Sequence, residues 1–139
     1  MNNLKRFLNA QAVDYETALR EIRAGRKDSH WIWYIFPQLK ELGTSSTARD
    51  YGIRDLDEAR AYLADPVLCS RLLEISGALL DLPGSDPRAV MGHPDDLKLR
   101  SSMTLLAAAD PEQKVFQQVL DKYYNGIPDP LTLELLGMK

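Results

Sequence analysis

Two segments of this 139-residue chain contain side chains that could act on a ligand. The first is residues 29–38, SHWIWYIFPQ, in which four aromatic side chains fall within six residues. Neighbouring indole rings can stack on a base or another flat ring, and a histidine and an amide beside them can read its edge. We therefore take Trp33 and Gln38 as candidate ligand-binding residues and His30 as a candidate catalytic residue. The alternative is that the aromatic side chains form the hydrophobic centre of a small domain.

The second segment is residues 94–104, PDDLKLRSSMT, which joins two acids, two bases and three hydroxyl side chains. The bases would meet an anion, a serine would donate a hydrogen bond to it, and a carboxylate would orient a hydroxyl group or a water molecule. The candidates are Asp96 and Lys98 for catalysis, and Arg100, Ser101 and Ser102 for ligand binding.

A purely structural interpretation of the second segment is also open. Asp95 and Asp96 suit the first turn of a helix, where the helix dipole favours negative charge. Asp96 and Arg100 have the i,i+4 spacing of a helical ion pair. Spacing alone does not decide whether these side chains converge on a ligand.

The strong short motifs of catalysis and cofactor binding do not occur in the sequence. There is no dinucleotide-binding glycine pattern, Walker loop, H-E-x-x-H or G-x-S-x-G. One cysteine and two histidines argue against a Cys/His zinc site. We therefore expect no metal and no cofactor.

The elements that must position these candidates are helices. Aspartate is a favoured N-cap residue, and proline suits the first helical position because it has no N–H to leave unpaired. Asp55 with Glu58 three residues later forms a capping-box pattern. The Asp-Pro dipeptide predicts helix starts at Asp65-Pro66, Asp86-Pro87, Asp110-Pro111 and Asp129-Pro130, with His93-Pro94 as a variant.

The aromatic segment has the propensity of a strand. A single strand would leave its backbone unpaired, so we predict a short helix capped by Ser29, with Trp33 and Phe36 on one face. The sequence thus predicts an all-α fold over residues 1–139: a single domain of seven to nine mostly short helices, arranged as an orthogonal bundle or a horseshoe-like array.

Composition limits the class of partner. With 17 basic and 20 acidic residues the formal net charge is −3, which argues against a nucleic-acid partner, and only a basic cluster within residues 1–27 favours one. No segment approaches the roughly 18 apolar residues of a membrane span, and the N-terminus lacks the apolar core of a signal peptide. With a lone thiol as well, we expect a cytoplasmic protein and no membrane partner.

A family resemblance extends over nearly the whole chain. The residues that carry it are Phe7, Ala10-Gln11, Tyr15, Ala18-Leu19, residues 25–27, 30–38, 42–43, Ala48, residues 51–53, 56–59, 62–63, 66–68 and 95–105. With these residues the sequence resembles the bacterial domain-of-unknown-function family 1810. Cys69 departs from the family, which usually has glycine at this position. The resemblance implies a mainly helical fold and no established activity. Such proteins are sometimes labelled calpastatin, but calpastatin is a disordered inhibitor and this chain has a core-forming composition.

The helical layout is also similar to the ADP-ribose-processing domains of the NADAR type. This similarity transfers no residue role, but it favours a nucleotide-like ligand. We therefore expect a site that binds, and in one version hydrolyses, a small anionic or nucleotide-type ligand such as an ADP-ribose derivative. The alternative is a helical protein–protein interaction module without catalysis, anchored by the exposed part of the aromatic segment.

Overall fold

The computed structural model describes residues 4–138, which form an all-α fold, as the sequence predicts. No strand occurs within these residues, and an isolated parallel bridge joins Leu39 and Ile53. A 3₁₀ turn at Lys40–Leu42 lies between the second and third helices. The helices are α1 Lys5–Arg23, α2 Ile32–Ile35, α3 Ser46–Asp50, α4 Leu56–Ala64, α5 Pro66–Asp81, α6 Pro87–Met91, α7 Asp95–Ala109, α8 Lys114–Tyr124 and α9 Pro130–Leu135.

Aspartate caps start four of these helices, as predicted. The Asp65 carboxylate accepts hydrogen bonds from two backbone N–H groups at the start of α5, and Asp86 does the same for α6. Asp129 caps α9, while Asp55 accepts from the backbone N–H of Glu58 at the start of α4. Each cap satisfies backbone donors that the helix itself cannot pair.

The prediction of a helix start at Asp110-Pro111 is wrong. Residues 110–113 form a turn, and α8 begins at Lys114 after Gln113. Asp110 instead follows the last residue of α7, where its backbone N–H donates to the carbonyl of Leu106. Three of the four Asp-Pro pairs therefore start a helix, and the fourth starts a turn.

The aromatic segment forms a short helix, as predicted, but the prediction that Ser29 caps this helix is wrong. α2 covers only Ile32–Ile35, and Trp31 stands at the N-cap position without a side-chain cap. Ser29, the expected cap, donates its hydroxyl hydrogen to the Glu21 carboxylate at 2.6 Å. A buried carboxylate on α1 thus takes the hydroxyl that was expected to cap α2.

The long helix α7 lies at the centre of the fold. It packs against α2, α4, α6, α8 and α9, while α1 and α5 pack on each other and complete the core. The buried apolar side chains of α7 include those of Leu99, Met103, Leu105 and Leu106. None of the described helices has the length and apolarity needed to cross a membrane.

Candidate functional site

The two segments predicted to bind a ligand meet in the folded chain. α2 packs against α7, and the ammonium group of Lys98 lies 5.5 Å from the centre of a Trp33 ring. Gln38, which follows α2, lines the same cleft as these two side chains. Trp33 and Gln38 from the first segment therefore share one site with Lys98 from the second segment.

A short backbone bridge supplies the wall of the cleft beside Gln38. The N–H of Lys40 donates to the carbonyl of Ile53, and the N–H of Ile53 donates to the carbonyl of Gln38, both at 2.8 Å. Gly52 permits this close approach, because a Cβ atom at this position would lie 2.4 Å from the Cα of Lys40. The bridge brings Tyr51 to the cleft.

The cleft is very small, with a volume of about 10 Å³. Pockets for drug-sized ligands measure about 300–1,000 Å³, whereas this cleft has room for about one water molecule. Its wall contains apolar side chains together with an ammonium group, an amide, a phenol and an indole. The lining residues are Ile32, Trp33, Phe36, Gln38, Ala48, Tyr51, Gly52 and Lys98.

Positive charge at the cleft is only partly balanced. Asp95, one turn before Lys98, places Oδ1 3.6 Å from the Lys98 ammonium group. The other oxygen of Asp95 lies 2.8 Å from the ammonium group of Lys27, whose side chain is only 6% exposed. Two positive groups share one carboxylate, so Lys27, Asp95 and Lys98 together carry one net positive charge.

Two side chains of the predicted segments hold buried polar atoms without a hydrogen-bond partner among the described residues. One is the indole Nε1 of Trp33, and the other is the hydroxyl of Ser102. Ser102 lies one turn beyond Lys98 on the same face of α7, but it is not among the residues that line the cleft. A buried donor without a partner costs about 1–3 kcal/mol, so these atoms call for an explanation.

Glu21 on α1 holds the loop that leads into α2. Its carboxylate accepts hydrogen bonds from the backbone N–H groups of Asp28 and Ser29 at 2.7 and 2.9 Å. It also accepts from the Ser29 hydroxyl and from the indole N–H of Trp31. Burial by itself raises the pKa of Glu21, but the hydrogen bonds from Ser29, Asp28 and Trp31 outweigh burial and lower the pKa to about 2.

His30 and Asp96, two of the catalytic candidates, lie outside the cleft lining. His30 is exposed. The Asp96 carboxylate lies 2.9 Å from the Nδ1 of His93, and its backbone carbonyl accepts a hydrogen bond from the Tyr124 hydroxyl. Lys98 is therefore the one catalytic candidate among the lining residues. Within residues 4–138, no group of three His, Cys, Asp or Glu side chains could hold a metal ion.

Arg100 and Ser101 face a different part of the molecule, the turn that leads into α9. The guanidinium group of Arg100 donates to the carbonyls of Ile127 and Pro128 at 3.0 and 2.9 Å. The Ser101 hydroxyl contacts the Asp129 carboxylate at 3.2 Å. The structure thus uses these two candidates to hold the start of α9 against α7.

Sequence reasoning did not single out three residues of this region: Glu21, Lys27 and Tyr51. Lys27 was named only as part of the N-terminal basic cluster and in the family resemblance, and Tyr51 only in that resemblance. Their partners are distant in the sequence, as with Lys27 and Asp95, so no local spacing rule identifies them.

Comparison with known proteins identifies the family. The family model described as "Protein of unknown function (DUF1810)" matches residues 1–136. The chain belongs to the DUF1810 family. This DUF1810 protein is also similar to a solved structure, the conserved hypothetical protein Rv1873 from Mycobacterium tuberculosis, determined at 1.38 Å. The two share 47% identity over 98% of this chain and 97% of that chain, with a TM-score of 0.95. No curated protein matches the sequence.

Proposed function

We propose that this DUF1810 protein binds a small anionic ligand of the nucleotide type at the mouth of the cleft between α2 and α7. The observation that carries the proposal is the ammonium group of Lys98, 5.5 Å from a Trp33 ring centre, whose carboxylate neighbour Asp95 is shared with Lys27. The positive charge can attract the anionic group of a ligand, and the flat aromatic ring beside it can stack on the base or ring of the same ligand.

The volume of the cleft limits the size of what enters it. About 10 Å³ is far below the range of about 300–1,000 Å³ for drug-sized ligands and has room for about one water molecule. A ring with a charged substituent would therefore lie across the mouth of the cleft, with only a small group inside it. For an ADP-ribose derivative, most of the molecule would lie on the surface around the cleft.

The indole N–H of Trp33 supports the same proposal. It is buried and has no hydrogen-bond partner among the described residues, so a ligand acceptor that reached it would remove the cost of an unpaired donor. The Gln38 side chain in the same wall has both a donor and an acceptor with which to read the edge of a ring.

The proposal is for binding and names no reaction. Hydrolysis would need a base within hydrogen-bond reach of a water molecule beside the ligand. The candidates for that role, His30 and Asp96, lie outside the cleft lining, and Asp96 is paired with His93.

A protein-interaction module receives less support from the same residues. The aromatic segment that was to anchor a partner is largely buried, with Trp31 and Phe36 each 1% exposed. The exposed large apolar side chains of the C-terminal region lie elsewhere, at Ile127, Leu131, Leu135 and Met138.

The test compares charged ligands with uncharged analogues. AMP with adenosine, and benzoate with benzamide, are titrated into the protein at low salt, and binding is followed by calorimetry and by tryptophan fluorescence. We expect each anion to bind more tightly than its neutral analogue, and Lys98→Gln to weaken anion binding about tenfold. Lys114→Gln, an equal charge change at an exposed position on α8, should leave binding unchanged.

Two results would overturn this proposal. One is an absence of binding by both anions up to about 1 mM. The other is equal anion affinity in wild type and Lys98→Gln, which would place the bound anion away from the cleft.

A further inference from the structure

The buried ion pair behind the cleft has a consequence for the charge inside it. Lys27 lies in the loop between α1 and α2, and its ammonium group contacts the Asp95 carboxylate at 2.8 Å. The Lys98 ammonium group lies farther from the same carboxylate, at 3.6 Å, and its side chain is 28% exposed. Asp95 is therefore held mainly by the lysine that does not line the cleft.

Several contacts fix Lys27 in this position. Its backbone N–H donates to the carbonyl of Val90 at 2.6 Å, and its ammonium group donates to the carbonyl of Ser29. The ammonium group also lies 4.9 Å from the centre of a Trp31 ring. The Glu21 carboxylate holds the backbone of this loop through the N–H groups of residues 28 and 29.

A buried ammonium group needs a carboxylate or carbonyl partner, because an unpaired charge inside a protein is costly. Lys27 therefore keeps Asp95 beside itself. If Lys27 lost its charge, Asp95 would have only Lys98 to neutralise, and the excess positive charge at the cleft would disappear.

We infer that Lys27 is a positioning residue that sets the anion affinity of the cleft from outside it, by holding Asp95 away from full pairing with Lys98. This inference rests on the proposed binding of an anion at the mouth of the cleft. Lys27 belongs to neither predicted segment and does not line the cleft, yet it controls the specificity for charged over neutral ligands.

The inference predicts opposite effects for two substitutions that both break the same ion pair. Lys27→Met leaves one positive and one negative group, so AMP and benzoate should bind about fivefold or more weakly than to wild type. Asp95→Asn leaves two positive groups, so the same anions should bind more tightly by a similar factor. The double variant restores one net positive charge and should bind with wild-type affinity.

Adenosine and benzamide serve as uncharged probes in every variant, and their affinities should not follow this order. Lys27→Arg keeps the charge and should retain anion binding. Thermal unfolding identifies any variant that fails to fold. If Lys27→Met does not fold, the anion affinities of Lys27→Arg, Asp95→Asn and the double variant still test the inference.

The outcomes separate this inference from the proposed function. If wild type binds neither anion, the proposed function fails, and this inference fails with it. If wild type binds anions through Lys98 but Lys27→Met binds them equally well, the inference about Lys27 alone is overturned. Weaker binding in both single variants and in the double variant would indicate a general loss of structure and would also overturn it.

Discussion

Glu21 and Trp33 differ in how fully their buried polar atoms are satisfied. The Glu21 carboxylate accepts hydrogen bonds from two backbone N–H groups, the Ser29 hydroxyl and the Trp31 indole. The indole N–H of Trp33 is buried with no partner among the described residues. Hydrogen bonds to a charged group stabilise the folded state, whereas a buried donor without a partner destabilises it. The two residues should therefore respond in different ways to substitution.

Glu21→Gln should lower the free energy of unfolding by about 2 kcal/mol near neutral pH, because the amide keeps one acceptor and turns an N–H group toward donors. Since the pKa of Glu21 falls from 4.5 to about 2 on folding, its contribution is fully present above pH 4.5 and is lost as the pH falls toward 2. The difference between wild type and variant should therefore shrink over this range. Denaturant unfolding at several pH values measures it.

Glu16→Gln is the matched control, because Glu16 is an exposed acid on the same helix. It should change stability by less than about 0.5 kcal/mol at each pH. A constant difference between wild type and Glu21→Gln from neutral pH down to pH 2 would contradict the role given to the carboxylate.

The two tryptophans provide a second comparison at the scale of single residues. Trp31→Phe removes a donor to Glu21 from a side chain that is 1% exposed, and it should destabilise the protein by about 2 kcal/mol or more. Trp33→Phe removes a buried donor that has no partner and should cost less than about 1 kcal/mol. Thermal unfolding midpoints measure both, and a larger drop for Trp33→Phe would show that its N–H is structurally paired.

At the scale of elements, the helix starts follow local chemistry. Asp65 accepts two backbone hydrogen bonds and is followed by Pro66, the first residue of the sixteen-residue α5. Asp110 is followed by Pro111 as well, but the chain makes a turn there, and the Asp110 carboxylate accepts one hydrogen bond at 3.3 Å. The same dipeptide thus serves two different structures.

Asp65→Ala should lower the free energy of unfolding by about 1 kcal/mol, the usual cost of losing an N-cap. Asp110→Ala should cost less than about 0.5 kcal/mol, because the carboxylate caps no helix. Urea unfolding of the two variants beside wild type makes the comparison. Equal losses would mean that the turn at residues 110–113 depends on its aspartate as strongly as α5 depends on its cap.

At the scale of the whole molecule, α7 connects most of the other helices. It packs against α4, α6, α8 and α9 as well as against α2. Its core side chains include Leu99 and Met103, both fully buried. A helix with neighbours on so many sides leaves little of the core independent of it, so the fold should lose its structure as one unit.

Leu99→Ala should destabilise the protein by about 3 kcal/mol, because it leaves a cavity in the centre of the core. The loss of helix and the exposure of Trp31 and Trp33 should then occur at the same denaturant concentration, in wild type and in the variant. Far-ultraviolet circular dichroism follows the first and tryptophan fluorescence the second. Separate midpoints would show that residues 4–138 unfold in more than one unit.

The sequence by itself determined the helices and the family of this protein. Caps such as Asp65 and Asp129 act on backbone groups two or three residues away, so they can be recognised from a short stretch of chain. The aromatic segment shows the limit of this reasoning, because Ser29 lies at a cap position and yet bonds to Glu21 on another helix. A competing partner from elsewhere in the fold changed a local prediction.

Only the tertiary structure decided which candidate side chains meet. Helical spacing fixes the directions of Lys98 and Arg100 relative to each other, but the packing of α7 decides that Lys98 faces Trp33 while Arg100 holds the turn before α9. The pairing of Lys27 with Asp95 joins a loop to a helix far along the chain. The rotation of a helix within a core depends on the shapes of all its neighbours, and no local pattern in the sequence contains that information.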